Sequence, residues 1–342
     1  MRVLVTGDRG YLGSVLVPML RRVGHEVVGL DLGLYEHLRL RPASQVCARI
    51  TGDALDVGTD DLRGVDAVVH LAGLDPLGPG TDAARILDVN VGAAQAVIGA
   101  AARAGCHAVV LASSIDVLMP PLCAAPAHRS TGWAGTDPVA AAHRAAEEVF
   151  TAAGLATTVL RLPRLYGSSP SLRLDDDVNF LVASAMTRAR TSVSDPSSGR
   201  ARPLLHVKDA SRAVLHALDE SARPGRSASP TVVEVGRTQD VLAMRDVARV
   251  VAAITGNAVE VTEAAHAQGV PEPVDRLERA WPRFDLRWTL AKGVRDLCRE
   301  LSSLHVDAHA VEWLRRGRVE AVRRREPAPT LVASASEPAM SW

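Results

Sequence analysis

Short apolar runs alternate with longer stretches of helical periodicity through the first half of the chain. Residues 12–23 place apolar side chains on one helical face, and residues 82–104 and 137–153 also have a helical pattern. Short, continuously apolar strands that alternate with helices are typical of a parallel sheet covered on both faces. The predicted strands are residues 3–5, 27–30, 67–71, 108–112 and 158–160.

The pattern loosens after Gly167. Residues 168–203 are rich in Ser, Pro, Asp and Arg, whereas residues 204–219 predict a strand followed by a helix. After a loop at 220–230 come a predicted strand at 231–235, helices at about 240–255 and 289–302, and a basic, helix-like run at 306–325. From residue 326 to 342, Pro, Ala and Ser dominate with little periodicity, which predicts a disordered tail.

The composition is that of an ordinary soluble globular protein, with 47% hydrophobic and 23% charged residues among 342. The 39 basic residues balance the 39 acidic ones, so nucleic acid is not an expected partner. No signal peptide is visible and no stretch approaches 18 uninterrupted apolar residues, so no membrane association is expected. Cys47, Cys106, Cys123 and Cys298 lie far apart, which argues against a zinc site or disulfide framework and favours a reducing cytoplasm.

A glycine-rich loop between the first strand and the first helix carries the strongest chemical signal. Residues 6–13 read Thr-Gly-Asp-Arg-Gly-Tyr-Leu-Gly, a G-x-x-G-x-x-G spacing. Gly7 allows a tight turn, Gly10 lets the backbone approach a pyrophosphate, and Gly13 lets the helix pack against the strand. Because a helix N-terminus also offers N–H groups and partial positive charge to phosphates, the loop predicts a dinucleotide site.

The acidic residue at the end of the second strand bears on the choice of dinucleotide. Asp31 lies 24 residues after Gly7, where a carboxylate can accept hydrogen bonds from the adenosine ribose hydroxyls and would repel a 2′-phosphate. This position favours NAD. NADP stays open, because Arg9, Arg39 and Arg41 could each pair with a 2′-phosphate. Asp31 could also be a strand-end turn residue.

With these motifs, the chain resembles the extended short-chain dehydrogenase/reductases, the group that includes nucleotide-sugar epimerases and dehydratases. The resemblance runs from residue 1 to about 300, and residues 6–13 match the family's T-G-x-x-G-x-x-G. The further matches, in chain order, lie at residues 52–56 (G-D-x-x-D), 70–73 (H-L-A-A), 90–91 (the central-helix Asn), 161–167 (R-P-x-x-x-Y-G), 202–209 (R-x-F-I-H-V-x-D) and 288–293 (a late tryptophan and glycine).

The resemblance implies an α/β fold, a Rossmann-type doubly wound parallel sheet with a smaller C-terminal substrate domain. The Rossmann domain would take residues 1–167 and regain 204–236, and the substrate domain would take 168–203 and 237–325. His70, His206, Arg161 and Trp288 are interpreted as structural. The residues implied to bind NAD or NADP are Gly7, Arg9, Gly10, Tyr11, Leu12, Gly13, Asp31, Asp53, Ala54, Leu71, Ala72, Gly73, Asn90, His143 and Pro163.

The chain departs from the family at its catalytic pair. Family members carry Tyr-x-x-x-Lys, in which the tyrosine exchanges a proton with the substrate oxygen and the lysine lowers the pKa of the tyrosine. Here Val139 and His143 stand at those two positions, and no Tyr-x-x-x-Lys occurs anywhere in the chain. The hydroxyl that bonds the reacting oxygen is matched by Ser114, with Ser113 beside it, although a serine at a strand end can also simply cap the backbone.

Three functions are compatible with an intact cofactor loop beside an altered acid. The first is an NADH- or NADPH-dependent ketoreductase of antibiotic-type secondary metabolism, in which Ser114, Ser113 or His143 assists reduction of an aromatic polyketide ketone whose neighbouring phenol stabilises the developing alkoxide. The second is a non-catalytic dinucleotide sensor or scaffold. The third is a nucleotide-sugar epimerase or dehydratase, which needs a base that the chain has lost. Residues 119–137 would form an apolar wall of the pocket or a surface loop, and a homo-oligomer stays open.

Overall fold

The computed structural model describes residues 1–74, 83–118, 138–174, 177–188, 190–195, 201–221, 223, 229–263 and 276–324. The expected pocket wall at 119–137 and the expected tail at 326–342 lie outside these residues. Among the described helices, none combines the length and the apolarity needed to cross a bilayer.

Twelve strands and nine helices occur within the described part of the chain. The strands are β1 (Arg2–Thr6), β2 (Glu26–Asp31), β3 (Ala48–Thr51), β4 (Ala67–His70), β5 (Ala108–Ser114), β6 (Ala156–Leu162), β7 (Arg164–Tyr166), β8 (Arg190–Asp195), β9 (Arg202–His206), β10 (Thr231–Glu234), β11 (Val241–Leu242) and β12 (Ala258–Glu263). The helices are α1 (Gly13–Arg22), α2 (Ala83–Ala104), α3 (Pro138–Thr151), α4 (Asp177–Thr187), α5 (Val207–Ser221), α6 (Met244–Thr255), α7 (Arg276–Ala280), α8 (Leu290–Ser303) and α9 (Ala308–Arg324).

A seven-stranded sheet in the order β10-β6-β5-β4-β1-β2-β3 forms the centre of the molecule. Every neighbouring pair in it is parallel. The chain builds outward from β1 to β3 and then returns to add β4 on the other side of β1. This reversal confirms the predicted doubly wound sheet, and it opens a crevice at the carboxyl ends of β1 and β4.

Helices cover both faces of this sheet, which explains why its strands are continuously apolar. Leu16 and Leu20 of α1 and Val214 of α5 pack on one face, and Val97 of α2 and Phe150 of α3 pack on the other. All five side chains are fully buried, so each face removes large apolar surfaces from water.

The second half adds two small sheets, one in the order β11-β9-β7 and one that pairs β12 with β8. Within residues 168–203, which the composition did not assign to regular structure, the structure forms α4 and β8. Both elements are short and are flanked by Ser, Pro, Asp and Arg, so the sequence shows no clear periodicity there. The edge strand β3 was also missed, because it has no apolar run and three of its four residues are exposed.

Candidate active site

A cleft of about 960 Å³ follows the carboxyl ends of the parallel strands. It brings together every residue implied by the resemblance except Arg9 and Asn90, which are not among its lining residues. The lining residues of that set are Gly7, Gly10, Tyr11, Leu12, Gly13, Asp31, Asp53, Ala54, Leu71, Ala72, Gly73, Ser113, Ser114, His143 and Pro163.

The glycine-rich loop leaves no room for side chains at two of its glycines. Gly7 has φ +73°, and a Cβ there would come within 3.0 Å of the Ala72 nitrogen. A Cβ on Gly13 would collide with the Gly7 carbonyl oxygen and lie 2.8 Å from the Asp8 Cα. Because α1 begins at Gly13 directly beside the cleft, the bare backbone and the helix N-terminus are placed as a bound dinucleotide pyrophosphate requires.

Thr6 and His70 hold the ends of β1 and β4 together beside this loop. The Thr6 hydroxyl accepts hydrogen bonds from the backbone nitrogens of Leu71 and Ala72, and it lies 2.8 Å from His70 Nδ1. Since both acceptor positions of the hydroxyl are used, its proton points to Nδ1, so His70 carries its own proton on Nε2. Burial, together with the nearby His143, lowers the pKa of His70 to about 4, so His70 is neutral and structural.

Asp31, at the end of β2, is held by two backbone donors. Its carboxylate accepts hydrogen bonds from the Arg9 nitrogen (3.1 Å) and the Gly33 nitrogen (2.7 Å). Burial raises the pKa of this carboxyl. The Arg9 guanidinium bonds Thr51 Oγ1 and lies 3.5 Å from Glu36, so it is positioned just behind the Asp31 loop.

Asp53 and Asn90 shape the cleft through the backbone. Asp53 accepts a hydrogen bond from the Leu55 nitrogen and leads into the short 3₁₀ turn that presents Ala54. Asn90 accepts from the Leu74 nitrogen at 2.6 Å and donates to the Leu74 oxygen at 3.1 Å. Asn90 therefore holds the segment after β4 in place, and Gly73 and Leu74 of that segment line the cleft.

The two serines at the end of β5 have different partners. Ser113 is buried and donates to Glu147 Oε1 at 2.6 Å, and Arg161 forms a two-pronged ion pair with the same carboxylate. Ser114 is partly exposed, and its Oγ accepts a hydrogen bond from the Asp116 nitrogen at 3.1 Å. Accepting that bond leaves the Ser114 proton available to a ligand, so Ser114 is the better donor candidate.

Val139 and His143 face the cleft one helical turn apart on α3. The three tyrosines of the chain have other partners. Tyr11 donates its hydroxyl proton to the Gly167 oxygen at 2.6 Å, Tyr35 lies under a guanidinium group of α9, and Tyr166 is buried against His206. Burial also raises the pKa of Tyr166, which makes it a poor proton donor.

A family model described as the NAD dependent epimerase/dehydratase family matches residues 3–236. The chain belongs to this family. The UDP-glucose 4-epimerase of Neisseria meningitidis serogroup B is 30% identical to it over 129 residues, which is 34% of this chain and 37% of that enzyme. A 3 beta-hydroxysteroid dehydrogenase/Delta 5-->4-isomerase of Mycobacterium tuberculosis is 34% identical over 125 residues, 34% of this chain and 33% of that enzyme. The matched stretch thus spans about a third of the length of these relatives.

Similarity in three dimensions is more extensive. A solved structure of MoeE5 in complex with UDP-glucose and NAD is 25% identical, has a TM-score of 0.71, and is matched over 90% of this chain and 100% of that one. The family model and this fold agree with the resemblance seen in the motifs. Its sequence contains no Tyr-x-x-x-Lys.

Several lining residues escaped the sequence analysis. Leu34 and Tyr35 follow β2, Arg173 lies after β7, and Arg315 and Arg318 come from α9. The basic run at 306–325 was visible as a helix in the sequence, yet nothing local indicated that this helix packs beside the cofactor cleft. Its arginines reach the cleft through tertiary packing alone.

Proposed function

We propose that this family member is an NADH- or NADPH-dependent ketoreductase that reduces a carbonyl group of a small, aromatic polyketide-type substrate without the Tyr–Lys pair. The observation that supports the proposal is a cleft lined by the glycine-rich loop together with Val139, His143 and Ser114. Valine can neither donate, accept nor ionise, so the tyrosine's role is vacant at that position.

Ser114 is the group that binds the substrate oxygen. Its Oγ is oriented by the Asp116 nitrogen, and its proton can be donated to an oxygen that gains negative charge. A donor aimed at developing charge stabilises the transition state more than the ground state. Ser113, whose proton goes to Glu147, positions β5 and α3 relative to each other.

His143 takes the place of the family's lysine on α3. Its imidazole can hydrogen-bond a nicotinamide ribose hydroxyl, or it can hold a proton at a ring nitrogen near neutral pH. In the cleft it stands one helical turn from Val139. The cofactor, when bound, supplies the hydride.

The proton that the vacant tyrosine would have given is best supplied by the substrate. A phenol adjacent to an aromatic ketone forms an internal hydrogen bond to the carbonyl, and that bond strengthens as charge develops on the oxygen. The protein then has to bind and orient the ketone, which by itself lowers the barrier substantially. Asp31 favours NADH as the reductant, and Arg9, beside it, keeps NADPH in the proposal.

The test follows oxidation of NADH and NADPH with aromatic ketones that carry or lack the adjacent phenol. We expect turnover of the phenol-bearing ketones, and Ser114→Ala should lower kcat by about 10- to 100-fold, because it deletes one donor to the reacting oxygen. Ser303→Ala removes an exposed hydroxyl of α8 and should leave kcat unchanged. Unchanged turnover in Ser114→Ala would remove this serine from the mechanism, and binding of NADH without turnover would favour a dinucleotide sensor.

A nucleotide-sugar epimerase or dehydratase is the second candidate, and it is favoured by the names of the relatives. Such reactions begin by oxidising a sugar hydroxyl, which requires a group that removes its proton. His143 is the one residue at the pair positions that could do so. Incubation with UDP-glucose and NAD, followed by chromatography of the sugar nucleotides, tests it directly. A converted sugar would replace the ketoreductase proposal.

A further inference from the structure

The three arginines that could pair with a 2′-phosphate, Arg9, Arg39 and Arg41, all have partners in the structure. Arg41 forms an ion pair of 2.6 Å with Glu300 of α8. The Arg39 side chain is buried, and its guanidinium donates to the Arg9 carbonyl oxygen and to Ser14 Oγ. Both groups are therefore fixed by other parts of the fold, which leaves Arg9 as the remaining candidate.

The Arg9 guanidinium lies between the turn after β2 and the end of β3. Its Nη2 donates to Thr51 Oγ1 at 3.0 Å, and its Nη1 lies 3.5 Å from Glu36 Oε2. It rests on the backbone of Gly33, where an added Cβ would lie 3.1 Å from Nη1. The residues that follow Gly33 and Thr51 in the chain line the cleft, whereas the arginine does not. The guanidinium is thus held beside the cleft and not in it.

We propose that Glu36 determines the choice of cofactor, by holding the Arg9 guanidinium out of the cleft so that NADH is bound in preference to NADPH. This inference rests on the proposed function, for which it specifies the reductant. An NADP site needs a cation for the 2′-phosphate, and an acidic residue at the end of the second strand, here Asp31, repels that phosphate. With its one nearby guanidinium engaged, the Asp31 carboxylate is left without a counterweight.

The Glu36 carboxylate is well placed to restrain this cation. Its Oε1 lies 3.8 Å from Arg39 Nε, and its other oxygen faces Arg9, so one carboxylate serves two guanidinium groups. The residue begins a short 3₁₀ turn, Glu36–Leu38, which the buried Leu38 fixes to the core. Removing the negative charge would release Arg9 from its ion pair and leave its N–H groups available to a phosphate.

The test measures cofactor binding by titration calorimetry on the full-length chain and on Glu36→Gln, which keeps the size of the side chain and removes its charge. The unaltered chain should bind NADH at least about tenfold more tightly than NADPH. In Glu36→Gln, the Kd for NADPH should fall at least about threefold, while the Kd for NADH changes less than about twofold. The gain should shrink as KCl is raised, because salt screens partly exposed charges.

Asp246→Asn is the matched control. Asp246 pairs with an arginine three residues later, as Glu36 does, and its side chain is 41% exposed against 39% for Glu36. It lies on α6 and does not line the cleft, so this variant should bind both dinucleotides as the unaltered chain does.

A second pair of variants tests whether Glu36 acts through Arg9. Arg9→Gln and Arg9→Gln/Glu36→Gln should have nearly the same Kd for NADPH, because the cation that Glu36 restrains is absent from both. Urea unfolding of all the variants would establish that each is folded.

Three results would overturn the inference: equal affinity of the unaltered chain for NADH and NADPH, an unchanged Kd for NADPH in Glu36→Gln, or the same gain with and without Arg9. Each can occur while NADH binding and ketone reduction remain intact, so none of them affects the ketoreductase test. An unaltered chain that bound neither dinucleotide would reject the proposed function together with this inference.

Discussion

Three side chains that line the cleft carry the proposed chemistry. In the proposed reaction, Val139 and His143 occupy the positions of the family's tyrosine and lysine, and Ser114 supplies a hydroxyl; all three line the cleft. All three were predictable from the sequence, because they stand at fixed spacings within a motif. Their partners were not, and it is these partners that distinguish Ser114 from Ser113.

Restoring the family pair should broaden the reaction. In Val139→Tyr/His143→Lys, the tyrosine supplies a proton that the substrate otherwise has to provide, and the lysine lowers the pKa of that tyrosine. Ketones without a neighbouring phenol should therefore be reduced at least about tenfold faster than by the unaltered protein, as measured by NADH oxidation.

Val139→Phe/His143→Lys is the control for this pair. It introduces the same ring without the hydroxyl and should give no gain. Equal rates for the tyrosine and phenylalanine variants, with NADH binding intact, would show that the absent acid does not limit the reaction.

At the scale of elements, the turn from β1 into α1 determines whether a dinucleotide can be held. The G-x-x-G-x-x-G spacing identified it in the sequence, since only glycine permits the backbone approaches that this turn makes. Elements with a clear apolar period were also predicted. The edge strand β3 and the helix α4 were not, because β3 has no apolar run and α4 is flanked by polar segments.

Gly13→Ala should disable the cofactor site. The new Cβ would collide with the Gly7 carbonyl oxygen, and both groups belong to backbone that packs tightly and cannot swing away. We expect the Kd for NADH to rise at least about tenfold and the free energy of unfolding to fall by about 1–3 kcal/mol. Titration calorimetry and urea unfolding measure the two effects.

Gly58→Ala is the matched control, because the nearest atom to its Cβ would be Asp61 Oδ2 at 3.7 Å, an ordinary contact. A Gly13→Ala protein that bound NADH as tightly as Gly58→Ala would contradict the proposed close packing of this turn.

At the scale of the whole molecule, both the parallel sheet and the C-terminal half contain a buried histidine. His70 lies at the sheet, beside Phe150, and His206 lies in the C-terminal half, stacked 4.0 Å from Trp288. Burial lowers the pKa of His70 to about 4 and that of His206 to about 3, so both are neutral in the folded state. Below pH 6.5, each of these histidines therefore binds a proton in the unfolded chain but not in the folded chain.

The two histidines should therefore make the free energy of unfolding fall as the pH is lowered. Between pH 6.5 and 4 the unfolded state binds more protons than the folded state, so the free energy of unfolding decreases as the pH drops. The depression of each pKa corresponds to about 3 kcal/mol at pH 4. Urea unfolding at a series of pH values measures the slope.

The His70→Asn variant isolates one of the two contributions, because asparagine can still accept a hydrogen bond from Thr6. Its slope between pH 6.5 and 4 should be shallower than that of the unaltered chain, while its response to the titration of carboxylates stays the same. Parallel slopes for the two proteins would show that His70 is protonated in the folded state.

The amino-acid sequence alone determined the parallel sheet, the cofactor loop and the loss of the catalytic tyrosine. Each of these depends on local periodicity, on the steric limits of glycine or on which side chain occupies a motif position. Tertiary structure alone decided that Arg318 lies on Tyr35 and that α9 forms a wall of the cofactor cleft. Those contacts join distant parts of the chain, and they depend on how the packed surfaces of α9 and the segment after β2 match, which no local pattern encodes.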